Sequence, residues 1–219
     1  MNKKYNEEYY GKAYDYIKNG VDYNIRAAIA FKKYFSDIKD IQSKKTLEIG
    51  AGLGKNIYFV KNAVAYDPSP FSREYCIKKG IMTVDYIAPN TYDIIAAIHT
   101  LEHVEKPLEQ LKDIFKKLKN GGVFVLILPC ERHSLVKEYV PDNNNHLYAW
   151  NFKSIDNILH LVGFRVVRNE FVYEGLGYKK LSKLYARNPI LMYSLTQYLT
   201  RIFFSHNCEL RIIAMKDRK

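Results

Sequence analysis

Residues 46–54, TLEIGAGLG, predict a buried strand that runs into a glycine-rich turn, with a helix beginning at Lys55. Asp67 follows at the end of the next apolar run, residues 63–66. Glycines let a backbone turn tightly and approach a ligand closely, and a later carboxylate can accept both hydroxyls of a ribose. The pattern therefore predicts an open α/β sheet that binds a nucleotide-bearing cofactor at this turn.

The composition is typical of one packed globular domain. The chain has 219 residues, of which 47% are hydrophobic and 14% aromatic, and this argues against disorder. Cys76, Cys130 and Cys208 are scattered and form no CxxC pair, which indicates a reducing compartment and neither a disulfide framework nor a zinc site. No apolar segment follows the N-terminal lysines, and the longest apolar stretch, residues 189–204, is too short and too polar to span a bilayer. We expect a cytoplasmic protein.

Positive charge is concentrated near the end of the chain. The formal net charge is +11, and from Gly175 onward nine lysines and arginines stand against two acidic residues. A field of this kind attracts anionic partners, such as a phosphorylated metabolite, RNA or a membrane surface. A solvated lysine-rich face accounts for the same charges, so both interpretations stay open.

Strands and helices alternate along most of the chain, which predicts a doubly wound α/β fold. The apolar runs are nearly continuous, as in parallel strands that are covered on both faces. Strands are predicted at 45–49, 63–67, 81–85, 92–98 and 122–129, and helices near 55–61, 70–79, 106–119 and 152–162.

The two ends of the chain depart from this alternation. Residues 1–43 have helical periodicity and predict a cap in front of a core at 44–173. A strand begins at residue 164, and the last strand and tail occupy 207–219. Between them, residues 174–206 predict a helical insert that is rich in aromatic and basic residues. We expect all four segments to belong to a single domain.

Three further elements follow the glycine-rich turn in a fixed order: YDIIAAIHTLEHV at 92–104, LKNGG at 118–122 and HLYAWNF at 146–152. Together they resemble the class I S-adenosylmethionine-dependent methyltransferases, in particular the quinone-biosynthesis and polysaccharide-tailoring type. Asn120 stands where that family usually has proline. The resemblance implies a Rossmann-like, mostly parallel, seven-stranded sheet with the last strand antiparallel. It also implies S-adenosyl-L-methionine as the cofactor.

The resemblance assigns one set of positions to the cofactor: Glu48, Gly50, Ala51, Gly52, Asp67, Pro68, Asp85, Tyr86, Ala97, Ile98 and His103. In this assignment Glu48 and the glycines face the methionine and ribose, and Asp67 holds the ribose hydroxyls. Asp85 and Tyr86 lie beside the adenine. Core packing is the alternative role for Ala97 and Ile98, and a simple turn is the alternative for Asp67.

An oxygen acceptor would benefit from a general base. The candidates are His99, His103, His133 and His146. We select His146 first, because it follows a polar loop at 141–145 that is expected to face the substrate, and His103 second. A packing role remains the alternative for both.

The segment His99-x-x-Glu102-His103 resembles the ExxEH metal site of small-RNA 2′-O-methyltransferases, in which a divalent ion activates the hydroxyl. Here His99 replaces the first glutamate of that motif, and His146 is the candidate for a fourth ligand. Because of the replacement we predict no metal.

The predicted function is methyl transfer to a small polar acceptor, such as a hydroxyl of a sugar or of a nucleotide-linked or phosphorylated metabolite in surface-polysaccharide tailoring. An amine acceptor comes next. The alternatives are an RNA or quinone-type O-methyltransferase and a non-catalytic scaffold. The glycine spacing disfavours a nicotinamide dehydrogenase, and the sequence contains no recognisable RNA-binding module.

The aromatic insert at 178–204 has several candidate roles. It can serve as a lid or pocket wall, as a peripheral membrane contact, as a dimer interface or as a cover for the edge of the sheet. The chain is expected to be a monomer or a homodimer that acts on a small, anionic substrate.

Overall fold

The computed structural model describes residues 7–13, 22–130, 145–177, 180–204 and 208–217. These residues build one seven-stranded sheet with helices on both sides. The strands are β1 (Thr46–Ile49), β2 (Ala63–Tyr66), β3 (Met82–Thr83), β4 (Tyr92–Ile98), β5 (Leu118–Pro129), β6 (Phe164–Tyr173) and β7 (Cys208–Lys216). The helices are α1 (Glu7–Ala13), α2 (Tyr23–Tyr34), α3 (Pro70–Lys78), α4 (Pro107–Lys117), α5 (Phe152–Val162), α6 (Ser182–Arg187) and α7 (Pro189–Phe203), with one 3₁₀ turn at Leu101–His103.

The strand order is β3-β2-β1-β4-β5-β7-β6. Strands β1 to β5 pair in parallel, whereas β7 runs antiparallel to both of its neighbours, β5 and β6. The predicted Rossmann-like fold is therefore confirmed, including the antiparallel last strand and the helical insert before it.

Alternation along each strand divides the core into two layers, because successive side chains point to opposite faces of a sheet. In β4, Ile95 and Ala97 pack in the layer that also contains residues of α4 and α5. Ile94, Ala96 and Ile98 pack in the opposite layer, with residues of α2 and α3. This explains why the strands read as continuous apolar runs in the sequence.

The predicted helix at 55–61 is wrong, because the structure has a series of turns there. Gly54 adopts φ +72°, and the segment that follows is rich in asparagine, β-branched and aromatic residues, which favour helices weakly. Ile57 and Val60 are buried against the sheet instead. The segment is thus held in place by packing without a regular helix.

Two other boundaries differ from the sequence prediction. Strand β3 is only Met82–Thr83, a short edge strand instead of the predicted 81–85. Helix α4 ends at Lys117, and β5 begins at once with a bulge that contains Gly121 and Gly122. A Cβ on Gly122 would lie 2.7 Å from the Lys119 carbonyl oxygen, so the close approach of the backbone within this bulge requires glycine.

Candidate active site

The glycine-rich turn lies where β1 ends, next to the end of β4. The amides of Gly50 and Ala51 donate to the carbonyl of Tyr66, at 2.8 and 3.2 Å. Gly50 has φ +70°, and a Cβ there would lie 2.5 Å from Oγ1 of Thr100. That hydroxyl is itself 3.2 Å from the carbonyl oxygens of Ile49 and Ile98, to which it can donate. A side chain at position 50 would therefore disturb the junction of β1 and β4.

Asp67 follows β2 and faces this turn. Its Oδ2 accepts a hydrogen bond from the Gly52 amide at 2.8 Å, and its Oδ1 accepts one from the Ser69 amide at 2.9 Å. Burial raises the pKa of the Asp67 carboxyl, and the two amide donors act in the opposite direction. Each oxygen retains a second lone pair. Asp67 can thus accept further hydrogen bonds while it holds the turn in place.

Glu48 lies on β1 beneath the turn and is fully buried. Its Oε1 accepts a hydrogen bond from Nδ2 of Asn56 at 2.6 Å. Its Oε2 has no hydrogen-bond partner among the residues that the structure describes. Burial raises the pKa of Glu48 to about 8, although Asn56 and Lys55 act in the opposite direction. The side chain is therefore mostly protonated at pH 7.

Two cavities open beside the turn, with volumes of about 470 and 280 Å³. The smaller one contains Asp67 and Pro68 in its wall. The larger one contains His146, Lys55, Glu174 and Glu209. The residues that line both are Tyr9, Gly50, Gly52, His99 and His103. The two spaces therefore share a wall.

His99 follows β4 with φ +50°, a conformation that few non-glycine residues adopt. Its Nε2 lies 2.9 Å from Oε1 of Glu209, and its Nδ1 lies 3.4 Å from Oε1 of Glu102. The His99 side chain is 39% exposed, and its partial loss of hydration lowers the pKa, but Glu209 and Glu102 outweigh this effect and raise the pKa to about 9. His99 is therefore a cation at neutral pH, unsuited to act as a base.

Glu209, the second residue of β7, anchors a buried group of charges. Nζ of Lys33 and the hydroxyl of Tyr34 each lie 2.8 Å from its Oε2, and Lys33 also contacts Glu174. Burial opposes ionisation, yet Lys33 and His99 hold the pKa of Glu209 well below its usual range. The larger cavity is thus lined by both acidic and basic side chains.

His103 ends the 3₁₀ turn and lines both cavities. Its Nδ1 lies 3.3 Å from the carbonyl oxygen of Asn145, and its ring packs edge-on against that of His146 with centroids 5.0 Å apart. Burial lowers the pKa of His103 below its ordinary value of 6.5. His103 is therefore neutral at pH 7.

Glu102, His103 and His146 are the described residues that could hold a metal ion. Each offers one ligand atom, and these atoms lie within 4.8 Å of one another. Glu102 is fully buried, and neither of its carboxylate oxygens has a hydrogen-bond partner among the described residues. The amide of Leu147 donates to the Glu102 carbonyl at 2.8 Å and holds the segment that carries His146 against the 3₁₀ turn.

The structure brings together most of the positions that the sequence assigned to the site. Those in the walls of the two cavities are Gly50, Ala51, Gly52, Asp67, Pro68, Ile98, His103 and His146. Glu48 lies directly beneath them. His133 falls outside the described residues.

Three assigned positions lie elsewhere. Ala97 is buried in the core layer of α4 and α5, as its alternative role predicts. Asp85 is exposed and forms an ion pair with Arg73 at 3.4 Å, and Tyr86 is 76% exposed. Neither Asp85 nor Tyr86 lines a cavity at the glycine-rich turn.

Several site residues were not predicted from the sequence: Tyr9, Tyr34, Lys55, Asn56, Glu174 and Glu209. They come from five separate places in the chain, and only Lys55 and Asn56 adjoin the glycine-rich turn, so no local motif connects the rest. Glu209 carries one signal that could have been used. It is an acidic residue inside an otherwise mostly apolar strand, and such residues are buried only with partners.

Residues 21–169 match the model of the methyltransferase domain family. The chain belongs to this family. It is an S-adenosylmethionine-dependent methyltransferase, and S-adenosyl-L-methionine is its cofactor, as the sequence motifs predicted.

A curated relative, the tRNA U34 carboxymethyltransferase of Wolinella succinogenes, is 26% identical over 160 residues. The match covers 63% of this chain and only 58% of the relative's length.

Two solved structures show the same fold. A SAM-dependent methyltransferase from Archaeoglobus fulgidus has a TM-score of 0.64 at 20% identity, over 94% of this chain and 99% of that chain. The phosphoethanolamine N-methyltransferase 2 of Haemonchus contortus, in complex with phosphomonomethylethanolamine and S-adenosylhomocysteine, has a TM-score of 0.57 at 16% identity. That match covers 90% of this chain and 53% of the other.

The buried carboxyl of Glu48 leads to a stability prediction. The pKa of Glu48 is 4.5 in the unfolded chain and about 8 in the folded one. The stability that this carboxyl gives to the folded state is therefore fully present below pH 4.5 and is lost as the pH rises to about 8. Glu48→Gln removes the titration and keeps an acceptor for Asn56. We expect the variant to gain stability relative to wild type between pH 5 and 8.5, by up to roughly 5 kcal/mol from the shift at about 1.36 kcal/mol per pKa unit.

Urea unfolding at several pH values measures this difference. Asp85→Asn, which removes an exposed carboxylate, serves as the matched control and should show no comparable change with pH. A difference between Glu48→Gln and wild type that stays constant across the range would contradict the buried, protonated carboxyl.

Proposed function

We propose that this enzyme transfers a methyl group to an oxygen atom of a small polar molecule. The acceptor is a sugar hydroxyl in a nucleotide-linked or phosphorylated metabolite, as in surface-polysaccharide tailoring. The observation that carries the proposal is the wall shared by the two cavities: His103 lines both, and Asp67 lines only the smaller one. We assign the larger cavity to the acceptor and call it the acceptor cavity. The acceptor cavity, at about 470 Å³, has the size of a small-molecule site.

The charges in the acceptor cavity support a polar acceptor with an anionic group. The carboxylates of Glu174 and Glu209 can accept hydrogen bonds from hydroxyl groups. Lys55 lines the same space and suits a phosphate, although burial lowers the pKa of its ammonium group, whereas His99 directs both ring nitrogens to Glu209 and Glu102. A sugar attached to a phosphate presents both kinds of group.

The residues around the smaller cavity fit an S-adenosyl group. Asp67 keeps one lone pair on each oxygen after it has accepted the Gly52 and Ser69 amides, which suits the two hydroxyls of a ribose. Gly50 and Gly52 leave the backbone open to close approach, because neither has a Cβ. When bound, the cofactor supplies a methyl group on a positively charged sulfur, which is already a reactive donor.

His103 is the residue that we assign as the general base. Its Nδ1 faces the carbonyl oxygen of Asn145, which can only accept, so the proton resides on Nδ1 and Nε2 keeps its lone pair. The neutral ring can then take the proton of an acceptor hydroxyl. His146 borders only the acceptor cavity and packs against His103, so we assign it to orienting that ring.

Cofactor binding tests the role of Asp67. Ligand at about 100 times its dissociation constant stabilises a protein by about 2.7 kcal/mol, which corresponds to roughly 5–10 °C for a domain of this size. We expect that shift with S-adenosylmethionine and S-adenosylhomocysteine but not with NAD. Asp67→Asn should abolish it, because an amide cannot accept both the backbone donors and the ribose hydroxyls.

Thermal unfolding measures the shift, and Asp85→Asn is the matched control. Asp85 lies outside both cavities, so its variant should keep the full shift. A lost shift in Asp85→Asn with a normal one in Asp67→Asn would restore the adenine-edge role that the sequence suggested for Asp85.

The pH dependence of methyl transfer tests His103. Because the base must be neutral and its pKa lies below 6.5, kcat/KM should rise with pH to a plateau that begins near neutrality. His103→Gln should lower kcat by about 10²–10⁴-fold and lower S-adenosylmethionine affinity far less, because His103 is only one of several residues in the wall of the smaller cavity. His146→Gln should have a smaller effect.

The assay tests a panel of nucleotide sugars as acceptors. A tRNA transcript and phosphoethanolamine are tested separately as representatives of the alternative acceptor classes. Methyl transfer to the transcript alone would contradict the small-molecule acceptor. A complete loss of activity in His146→Gln, with normal activity in His103→Gln, would move the base to His146.

A second candidate is metal-assisted O-methylation, which the geometry at Glu102 favours. Glu102 offers one carboxylate, and His103 and His146 offer two imidazoles. Divalent transition metals bind such a set of ligands, which leaves coordination positions for further ligands. Oε1 of Glu102 forms an ion pair with Nδ1 of His99 at 3.4 Å, whereas its buried Oε2 has no hydrogen-bond partner among the described residues, and this oxygen supports the candidate. An ion held there would lower the proton affinity of the acceptor hydroxyl. His103 would then be a ligand and could not serve as the base.

Titration calorimetry with Mn²⁺ and Zn²⁺ distinguishes the two candidates. The metal-assisted mechanism predicts one site of at least micromolar affinity, lost in Glu102→Gln and retained in Glu105→Gln, and an activity that a chelator abolishes. Activity that survives the chelator, without ion binding, supports His103 as the base.

A further inference from the structure

Helix α7 has its apolar side turned away from the protein. Its buried residues are Tyr193, Thr196 and Thr200. The two threonine hydroxyls donate to carbonyls of the same helix, those of Met192 and Thr196, at 2.8 and 3.0 Å. A surface helix normally buries its apolar face and exposes its polar one. In α7 this arrangement is reversed.

The exposed side of α7 is a continuous apolar stripe. Leu191, Leu195, Tyr198 and Ile202 follow one another at spacings of three and four residues, so they lie in one row along the helix. Each is more than half exposed, from 53% for Leu191 to 63% for Tyr198. Phe203, at 69%, and Leu184 of the preceding helix α6 extend the surface. We call the row of four the outer stripe.

This surface is anchored firmly to the sheet. The Tyr193 hydroxyl donates to the carbonyl of Tyr173, the last residue of β6, at 3.0 Å. The Tyr185 hydroxyl lies 2.6 Å from Oγ1 of Thr196 and connects α6 to α7. These two hydrogen bonds fix α6 and α7 relative to the sheet, and the outer stripe faces away from the protein as a result.

The charges beside the stripe indicate what it contacts. Residues 180–204 contain Lys180, Lys183, Arg187 and Arg201 and no acidic residue, and the acidic Glu170 of β6 lines one cavity together with Tyr198 and Arg201. A helix with an apolar face and flanking basic residues is the form that lies in the interface of an anionic bilayer. Each basic residue near such a surface contributes to the attraction, and the apolar side chains enter the boundary between headgroups and acyl chains.

Two other occupants fit less well. A second copy of the chain in a symmetric dimer would place these positive charges against their own copies. A nucleic acid would use the charges but would gain little from leucine and isoleucine, because single strands bind by stacking on aromatic rings. None of the helices in the described part of the chain has the length and hydrophobicity of a membrane span.

We propose that α6 and α7 dock this methyltransferase peripherally on an anionic lipid bilayer, with the outer stripe in the interface and the four basic residues against the headgroups. This inference rests on the surface of α7 and holds whichever acceptor the enzyme uses.

Vesicle co-sedimentation of the full chain tests the proposal. We expect binding to phosphatidylcholine vesicles that contain phosphatidylglycerol, weakened by high salt, and much weaker binding to pure phosphatidylcholine. Leu195→Asp combined with Ile202→Asp should weaken binding about tenfold or more. Lys183→Glu combined with Arg187→Glu should weaken it similarly.

The matched control is Ile77→Asp combined with Leu161→Asp, which alters equally exposed apolar residues on other helices and should leave binding unchanged. Circular dichroism and the melting temperature show that each variant is folded. The proposal is overturned if wild type does not bind the anionic vesicles, or if stripe and control variants lose binding equally. It is also overturned if light scattering shows a dimer that only the stripe variant dissociates.

Discussion

The contact on which the site depends is the carboxylate of Asp67 between the amides of Gly52 and Ser69. It fastens the glycine-rich turn after β1 to the segment after β2, and Ser69 also begins helix α3 by accepting from the amide of Ser72. One side chain thus sets the position of two loops and a helix. Because a buried carboxylate is costly without donors, these amides stabilise it, and it orders them in return.

A second constraint acts on the other side of the site. Glu209 of β7 joins Lys33 and Tyr34 of helix α2 to His99 after β4. Breaking one contact of a buried ion network leaves a charge without compensation, so these elements hold one another in place. The same network keeps His99 cationic, which leaves the neutral His103 as the better proton acceptor between the two cavities.

The local sequence predicted the fold correctly where one physical cause determines the local structure. Continuous apolar runs identified the parallel strands, because strands covered on both faces need apolar residues on both sides. The prediction failed at 55–61, where weak helix formers were free to follow the packing of Ile57 and Val60. The family resemblance assigned Asp85 to the adenine, and in the structure its exposed side chain forms an ion pair with Arg73 at 3.4 Å.

The sequence by itself determined the doubly wound sheet, the glycine-rich turn and the acidic residue that faces it, since each depends on neighbouring residues and on strand periodicity. Only the tertiary structure decided that Glu209 meets Lys33, that His103 lies between two cavities, and that helix α7 turns its leucines outward. These features join segments that are far apart in the chain, and no local pattern encodes which of two helix faces is buried. Packing against the sheet made that choice, through Tyr193 and its bond to Tyr173.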